Sequence, residues 1–209
     1  MTQNMKTFPS ADTDPRALYK LLVSAVVPRP IGFVSTVSLG GVRNLAPFSW
    51  FNFFSSAPPV AVFSPAGTGD NAKDTLRNIR EAGDCVIHIA DRSIAEALNQ
   101  TSASYAPEVD EFEASGLTPV PVDGLKADRV EEAKVAMACR LRQIVPLGEG
   151  PRSGHLVICD IERIMVDGSI LDESGAVVDA KKFRAIARLG GDWYLETTPE
   201  ALFELDRPA

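Results

Sequence analysis

Lys73, Asp74 and Thr75 stand together where a polar, glycine-containing stretch, GTGDNAKDT, gives way to a helical pattern. An ammonium, a hydroxyl and the free N–H groups of a helix start meet there, the donor set of a site for a phosphate of mononucleotide size. The same residues also describe a capped helix carrying a solvated lysine. Thr36 and Ser38 form a second candidate. Along IGFVSTVS the side chains alternate, so Gly32, Val34, Thr36 and Ser38 share one face and Ile31, Phe33, Ser35 and Val37 the other. Hydroxyls in a row suit a sugar-alcohol chain or a phosphate, and they are equally ordinary on a half-exposed strand.

The block NLAPFSWFNFFSS is the most unusual in the chain, mixing four phenylalanines and a tryptophan with Asn44, Ser49, Asn52 and Ser55. Asparagine and serine groups between apolar residues can bond the edge of a flat heterocycle while Pro47 and the backbone lie against its face. Read for its aromatics alone, the block is an interface or core strand. His88, inside CVIHIA, reads as a satisfied histidine of a sheet. His155 follows Ser153-Gly154, where the missing side chain lets a ligand approach, and it also reads as a structural residue at a strand start. Neither a Ser-His-Asp, an HExxH nor a paired-carboxylate spacing is evident, and no GxGxxG follows a strand. Hydrolysis and a Rossmann site both lose ground.

These residues need elements to hold them. Residues 1–14 are polar and read as a flexible arm, and residues 15–209 as one domain. Leu18, Leu21, Leu22 and Ala25 have helical spacing between Pro15 and Ala25. After Pro28 and Pro30 a strand runs through IGFVSTVS, and Gly40-Gly41 turns it into VRNLAPFS. VAVFS is a buried strand, Leu76, Ile79 and Ala82 mark a helix, and DCVIHIA is another strand. IAEALNQTSASYAPEVDEFEASG reads as a helix and then an acidic excursion long enough for a lid, with Glu113 and its neighbouring acids at the surface. KVAMACRLRQIVPLG, HLVICDIERIMVDG, SILD and AVVD alternate as strands do. TPEALFEL, with Thr198 before Pro199, closes as a short helix. Helices do not alternate regularly with strands, so the expected class is mainly β, a barrel with peripheral helices.

With 28 acidic and 21 basic side chains the chain carries a formal charge of −7, a field that repels phosphate polyanions and argues against nucleic acid. Its 45% hydrophobic and 23% charged residues are those of a globular protein rather than a disordered or coiled-coil chain. No signal-peptide core and no long apolar run is present, so no membrane partner is expected. Cys85, Cys139 and Cys159 are odd in number and form no CxxC pair. Reduced thiols in the cytoplasm are the expectation.

Taken together, PRPIGFVSTVS, NLAPFSWFNFFSSAPPVAVFS, KDTLRNI and RLGGDWY resemble the flavin reductase-like FMN-binding split-barrel family, over roughly Leu18 to Tyr194. The resemblance implies a six-stranded Greek-key split β-barrel that dimerises, with FMN in a cleft near the subunit boundary. It implies ribityl or phosphate contacts at Thr36, Ser38, Lys73, Asp74 and Thr75, with Arg29 as an addition. Isoalloxazine-edge contacts are implied at Asn44, Ala46, Pro47, Ser49 and Asn52. The implied activity is an NAD(P)H-dependent flavin reductase with NADH or NADPH as donor, and the competing class is a module that only stores or senses FMN. Members near the two-component monooxygenase reductases carry Gly-Asp-His beside the nicotinamide; this chain has Ser153-Gly154-His155, which makes His155 the tentative catalytic residue on that side.

Overall fold

The computed structural model describes residues 4–67, 73–150, 152–206 and 208. The polar stretch 68–72 and the first three residues of the expected arm lie outside them. Helix α1 spans Pro15–Ala25, as its spacing predicts; the Asp14 carboxylate accepts the N–H groups of Arg16 and Ala17, and proline takes the first position, where no N–H is needed. Only Val23 of this helix is buried, so its apolar stripe is uncovered.

The chain then lays down β1 (Arg29–Pro30), β2 (Gly32–Val37), β3 (Arg43–Phe48), β4 (Phe51–Ser56) and β5 (Pro59–Phe63). Helix α2 (Asp74–Ala82) leads to β6 (Asp84–Ile89), and α3 (Ala95–Gln100) and α4 (Glu111–Ser115) to the short pair β7 (Pro119–Val120) and β8 (Arg129–Val130). The long strands β9 (Val135–Pro146) and β10 (His155–Val166) follow, then the hairpin of β11 (Ile186–Arg188) and β12 (Tyr194–Glu196), which pairs with β1.

One antiparallel sheet of seven strands, in the order β3-β2-β6-β9-β10-β5-β4, dominates. Its two edge strands are consecutive in the chain, separated only by Ser49 and Trp50. Six interstrand steps would set flat edges ~29 Å apart, whereas the three peptide links from Phe48 to Phe51 span at most ~11 Å. The sheet must therefore roll until its edges nearly meet, leaving a barrel split between β3 and β4. Gly32 of β2 records the closure, because a Cβ there would lie 2.7 Å from the ring of Phe51 on β4. The resemblance implied six strands; the sheet has seven, with the aromatic block broken at Ser49-Trp50 into its two edges.

Alternation divides the core in two. Val34, Phe48, Phe51 and Phe63 fill the barrel with Leu76 and Ile79 of α2, while Ile31, Phe33 and Leu45 face outward against Leu98 of α3 and Phe112 of α4. All three cysteines are unpaired thiols inside the barrel, where the neighbouring sulfurs of Cys139 and Cys159, and then burial, push Cys85 above the usual thiol range. His88 is the satisfied sheet histidine expected: its Nδ1 faces the Phe33 carbonyl at 2.8 Å and its Nε2 accepts the Val130 N–H at 2.9 Å. Burial lowers its pKa to about 4, so it is neutral.

Three local expectations are corrected. SILD and AVVD do not form strands; the first begins in a 3-10 turn at Gly168–Ile170, and the two meet through an isolated Leu171–Val178 bridge and the bond from the Val177 N–H to the Asp172 carboxylate. TPEALFEL forms only a 3-10 turn, Pro199–Ala201, since Phe203 and Leu205 are exposed and a short helix without a packed face is marginal. The acidic excursion is anchored rather than a free lid, with Phe112 and Leu117 in the outer core. None of the described helices is long and apolar enough to cross a membrane.

Candidate functional site

A cleft of about 460 Å³ opens along the free edge of β3, between that strand, the start of α2 and the segment that follows α3. Asn44, Ala46, Pro47, Lys73, Asp74 and Thr75 line it, so six of the residues singled out in the sequence come together. Edge position explains the strand's composition. The Leu45 N–H points away from β2 and is taken by the Glu111 carboxylate at 2.5 Å, and Pro47, two residues on, has no N–H to leave unpaired.

The phosphate-like end is built by α2. Lys73 is its N-cap and makes no side-chain cap bond, unlike the aspartates that cap α1 and α4. Among the described residues the N–H groups of Asp74 and Thr75 have no acceptor, whereas Leu76 and Arg77 donate to the Lys73 carbonyl. Lys73 with its ammonium, Asp74 and Thr75 with main-chain donors that have no acceptor among the described residues, and the largely buried Thr75 side chain thus border one cleft. The Asp74 carboxylate is paired with Arg77, so its contribution to an anion is its N–H rather than its side chain.

Thr36 is corrected from a contact residue to a support. It is 1% exposed and does not line the cleft; its hydroxyl accepts Asn44 Nδ2 at 3.3 Å and Asn78 Nδ2 at 3.2 Å. Asn44 Nδ2 also donates to Thr75 Oγ1 at 2.9 Å, so Thr36 fixes Asn44, and Asn44 fixes the hydroxyl at the helix start. Ser38 is likewise taken up by its turn, accepting the Val42 N–H at 3.0 Å.

Arg29 is corrected as well. Its buried guanidinium donates to the Val23, Val26 and Leu189 carbonyls and to Ser49 Oγ, tying the end of α1 to the C-terminal hairpin. Desolvation lowers its pKa, and four of its five N–H donors are taken by these oxygens. Ser49 lines an adjoining groove, while Asn52 lies on the other sheet edge, beside Trp50 and Phe54 and away from the cleft. His155 is 4% exposed and shares the lumen face of β10 with Val157 and Cys159. It lines neither cleft nor groove, and its Nδ1 has no partner among the described residues.

Several lining residues escaped the sequence reading. Thr101, Ser102 and Tyr105 form one wall, and the run of small hydroxyl residues after a helix was their only signal. Glu111, expected at the surface with its acidic neighbours, is buried at 7% exposure; desolvation raises its pKa to about 7 against the pull of the Leu45 N–H. The cleft continues past Pro47 and Ser102 into a groove of about 480 Å³ bordered by Arg188, Asp192 and Tyr194.

The profile of one protein family, described as "Flavin reductase like domain", matches residues 24–187. The chain is 40% identical over 190 residues to an uncharacterized protein of Aquifex aeolicus, covering 90% of this chain and 94% of the other. Nitrilotriacetate monooxygenase component B from Bacillus cereus superposes with a TM-score of 0.91 at 32% identity, over 98% of this chain and 100% of that one. The 2-nitrobenzoate 2-nitroreductase NbaA of Pseudomonas fluorescens does so with 0.87 at 28%, over 97% and 96%.

Proposed function

We propose, from the premise that this chain belongs to the flavin reductase-like domain family, that it is an FMN-binding oxidoreductase, an NAD(P)H-dependent flavin reductase in which a hydride passes to the bound flavin. One observation carries the reading: the helix start at Lys73, Asp74 and Thr75, whose first N–H groups have no acceptor among the described residues, shares a single cleft with the edge of β3. The fit to FMN rests on the donor set, cationic and N–H-rich at one end and flat with proline and asparagine at the other. Two neighbours above a quarter identity bear the names of redox proteins, a monooxygenase component and a nitroreductase, which supports the class.

Lys73 and Thr75 would hold the phosphate, with Asn44 locking the threonine hydroxyl in place. Ala46 and Pro47 would offer their flat strand edge to the ring system, and the Thr101-Ser102 wall would exclude water from its side. When bound, FMN supplies the two-electron chemistry, so no dedicated protein acid or base is required. Glu111, with a pKa near neutrality, is a carboxyl at the cleft that can hold a proton while keeping the β3 edge in register.

A homodimer is part of the same proposal. Leu22, Val26, Trp50, Phe53 and Phe54 lie exposed on α1, the segment after it and the β4 edge, with the two phenylalanines at 66% and 69%. Such an aromatic surface suits an interface core. Cytoplasmic location accords with three unpaired thiols. The alternative, a module that stores or senses FMN, uses the same cleft and differs only in turnover. Equilibrium dialysis against FMN at micromolar concentrations tests the binding; bleaching by NADH or NADPH separates enzyme from storage module.

A further inference from the structure

We propose that the groove beside the cleft is a carboxylate-anchoring subsite, in which the Arg188 guanidinium pairs with the carboxylate of a flat monoanionic organic substrate. Arg188 on β11 lies directly opposite Tyr194 on β12, and its guanidinium carbon sits 4.5 Å from the centre of the tyrosine ring. The Gly190-Gly191 turn, with Gly191 at φ +62°, makes that pairing possible. Stacking fixes the plane of the guanidinium and leaves its N–H edge available.

That edge makes no side-chain hydrogen bond among the described residues. Arg188 is only 27% exposed, yet the nearest carboxylate among the described residues, Asp192, is 3.9 Å away and itself fully exposed. Arg129, exposed to the same degree, holds Glu131 at 2.5 Å. Arg29, the register partner of Arg188 on β1, spends its donors on carbonyl and hydroxyl oxygens. A half-buried, stacked guanidinium whose one ion-pair contact among the described residues is the long one to Asp192, facing a groove of about 480 Å³, is suited to receive an anion.

The surroundings narrow the anion. Among the described residues lining the groove there is one cation, with an acid close by, on a chain of charge −7, which matches a monoanion better than a phosphate dianion. Ile31, Pro47 and Leu98 supply apolar wall for a ring, and Asn99 and Ser102 supply neutral polar contacts. Because Pro47 and Ser102 border both spaces, a ligand anchored here abuts whatever fills the cleft; its role as a redox substrate rests on the FMN reading above.

The test is titration of benzoate into FMN-loaded protein and, by calorimetry, into FMN-free protein, for the parent, Arg188→Gln and Arg188→Lys. Benzoate binding should weaken about tenfold to a hundredfold in Arg188→Gln, the range of a charged hydrogen bond, and less in Arg188→Lys. FMN affinity and melting temperature should stay unchanged, and the neutral benzamide should bind weakly to all three. Equal benzoate affinity in parent and Arg188→Gln overturns the subsite, as does benzoate that displaces FMN. Phenyl phosphate binding more tightly than benzoate overturns the monoanion assignment. Arg188-dependent benzoate binding by a protein that takes up no FMN would uphold the subsite while removing the flavin reading, so the two failures are distinct.

Discussion

The carboxylate of Glu111 accepts the main-chain N–H of Leu45 at 2.5 Å, so a buried acid of the outer helix α4 holds the edge strand that forms the floor of the cleft. Desolvation lifts this carboxyl to about 7, and the charges of Asp74 and Asp110 act in the same direction. The native state therefore keeps its proton over a range where the unfolded chain has lost it.

Stability from Glu111 is accordingly full below the ordinary glutamate range and is lost as pH rises through about 7, with an effect of order 1 to 3 kcal/mol. His88, depressed to about 4, acts oppositely, losing stability as pH falls from its usual value toward 4. The two overlap, so the informative quantity is a difference. Denaturant unfolding of the parent and Glu111→Gln at pH 5 and pH 8 should show the variant losing less stability across that interval. Equal losses would mean that Glu111 does not titrate there.

Lys73→Met should weaken FMN by about tenfold or more while changing riboflavin little, because only the phosphate meets the ammonium. Dialysis with both ligands measures this. Equal losses would move the phosphate away from α2.

Thr36→Val and Thr75→Val separate support from contact. Both remove a buried hydroxyl that accepts Asn44 Nδ2, and each should cost about 1 to 3 kcal/mol of stability. Only Thr75→Val should also narrow the preference for FMN over riboflavin. A narrowed preference in Thr36→Val alone would restore the reading made from strand alternation.

His155→Ala should lower the melting temperature by opening a cavity in the barrel, with flavin reduction rates within about twofold of the parent. Stopped-flow reduction paired with melting curves gives the answer. Slowed reduction at unchanged FMN affinity would return His155 to the nicotinamide side.

Much of the barrel was legible in the residues because local rules governed it. Asp14 and Pro15 start α1 as capping chemistry requires, Gly41 takes positive φ in the β2–β3 turn, and Ile31 and Phe33 alternate with Val34 as a two-sided strand should. The cleft was legible where residues near in sequence line it together, as Asn44, Ala46 and Pro47 do, and Lys73, Asp74 and Thr75. It was illegible where long-range pairing decides. Strand alternation put Thr36 on the face of Val34, yet only the pairing with Asn44 of β3 and the packing of Asn78 from α2 show that Thr36 is sealed in. Arg29 entered the expected site only through the resemblance, and its carbonyl partner 160 residues away could not be read from its neighbours. Glu111 was hidden among acids that do face solvent, and its burial follows from Phe112 docking α4 onto β3.

Incubation of the purified protein with FMN, removal of free flavin, and a visible spectrum before and after anaerobic NADH or NADPH tests the central claim most directly. The account predicts a yellow protein whose flavin band bleaches with one of the two nucleotides and returns on admission of air. A protein that emerges colourless would contradict FMN binding in this cleft, and a yellow protein that neither nucleotide bleaches would contradict the reductase activity.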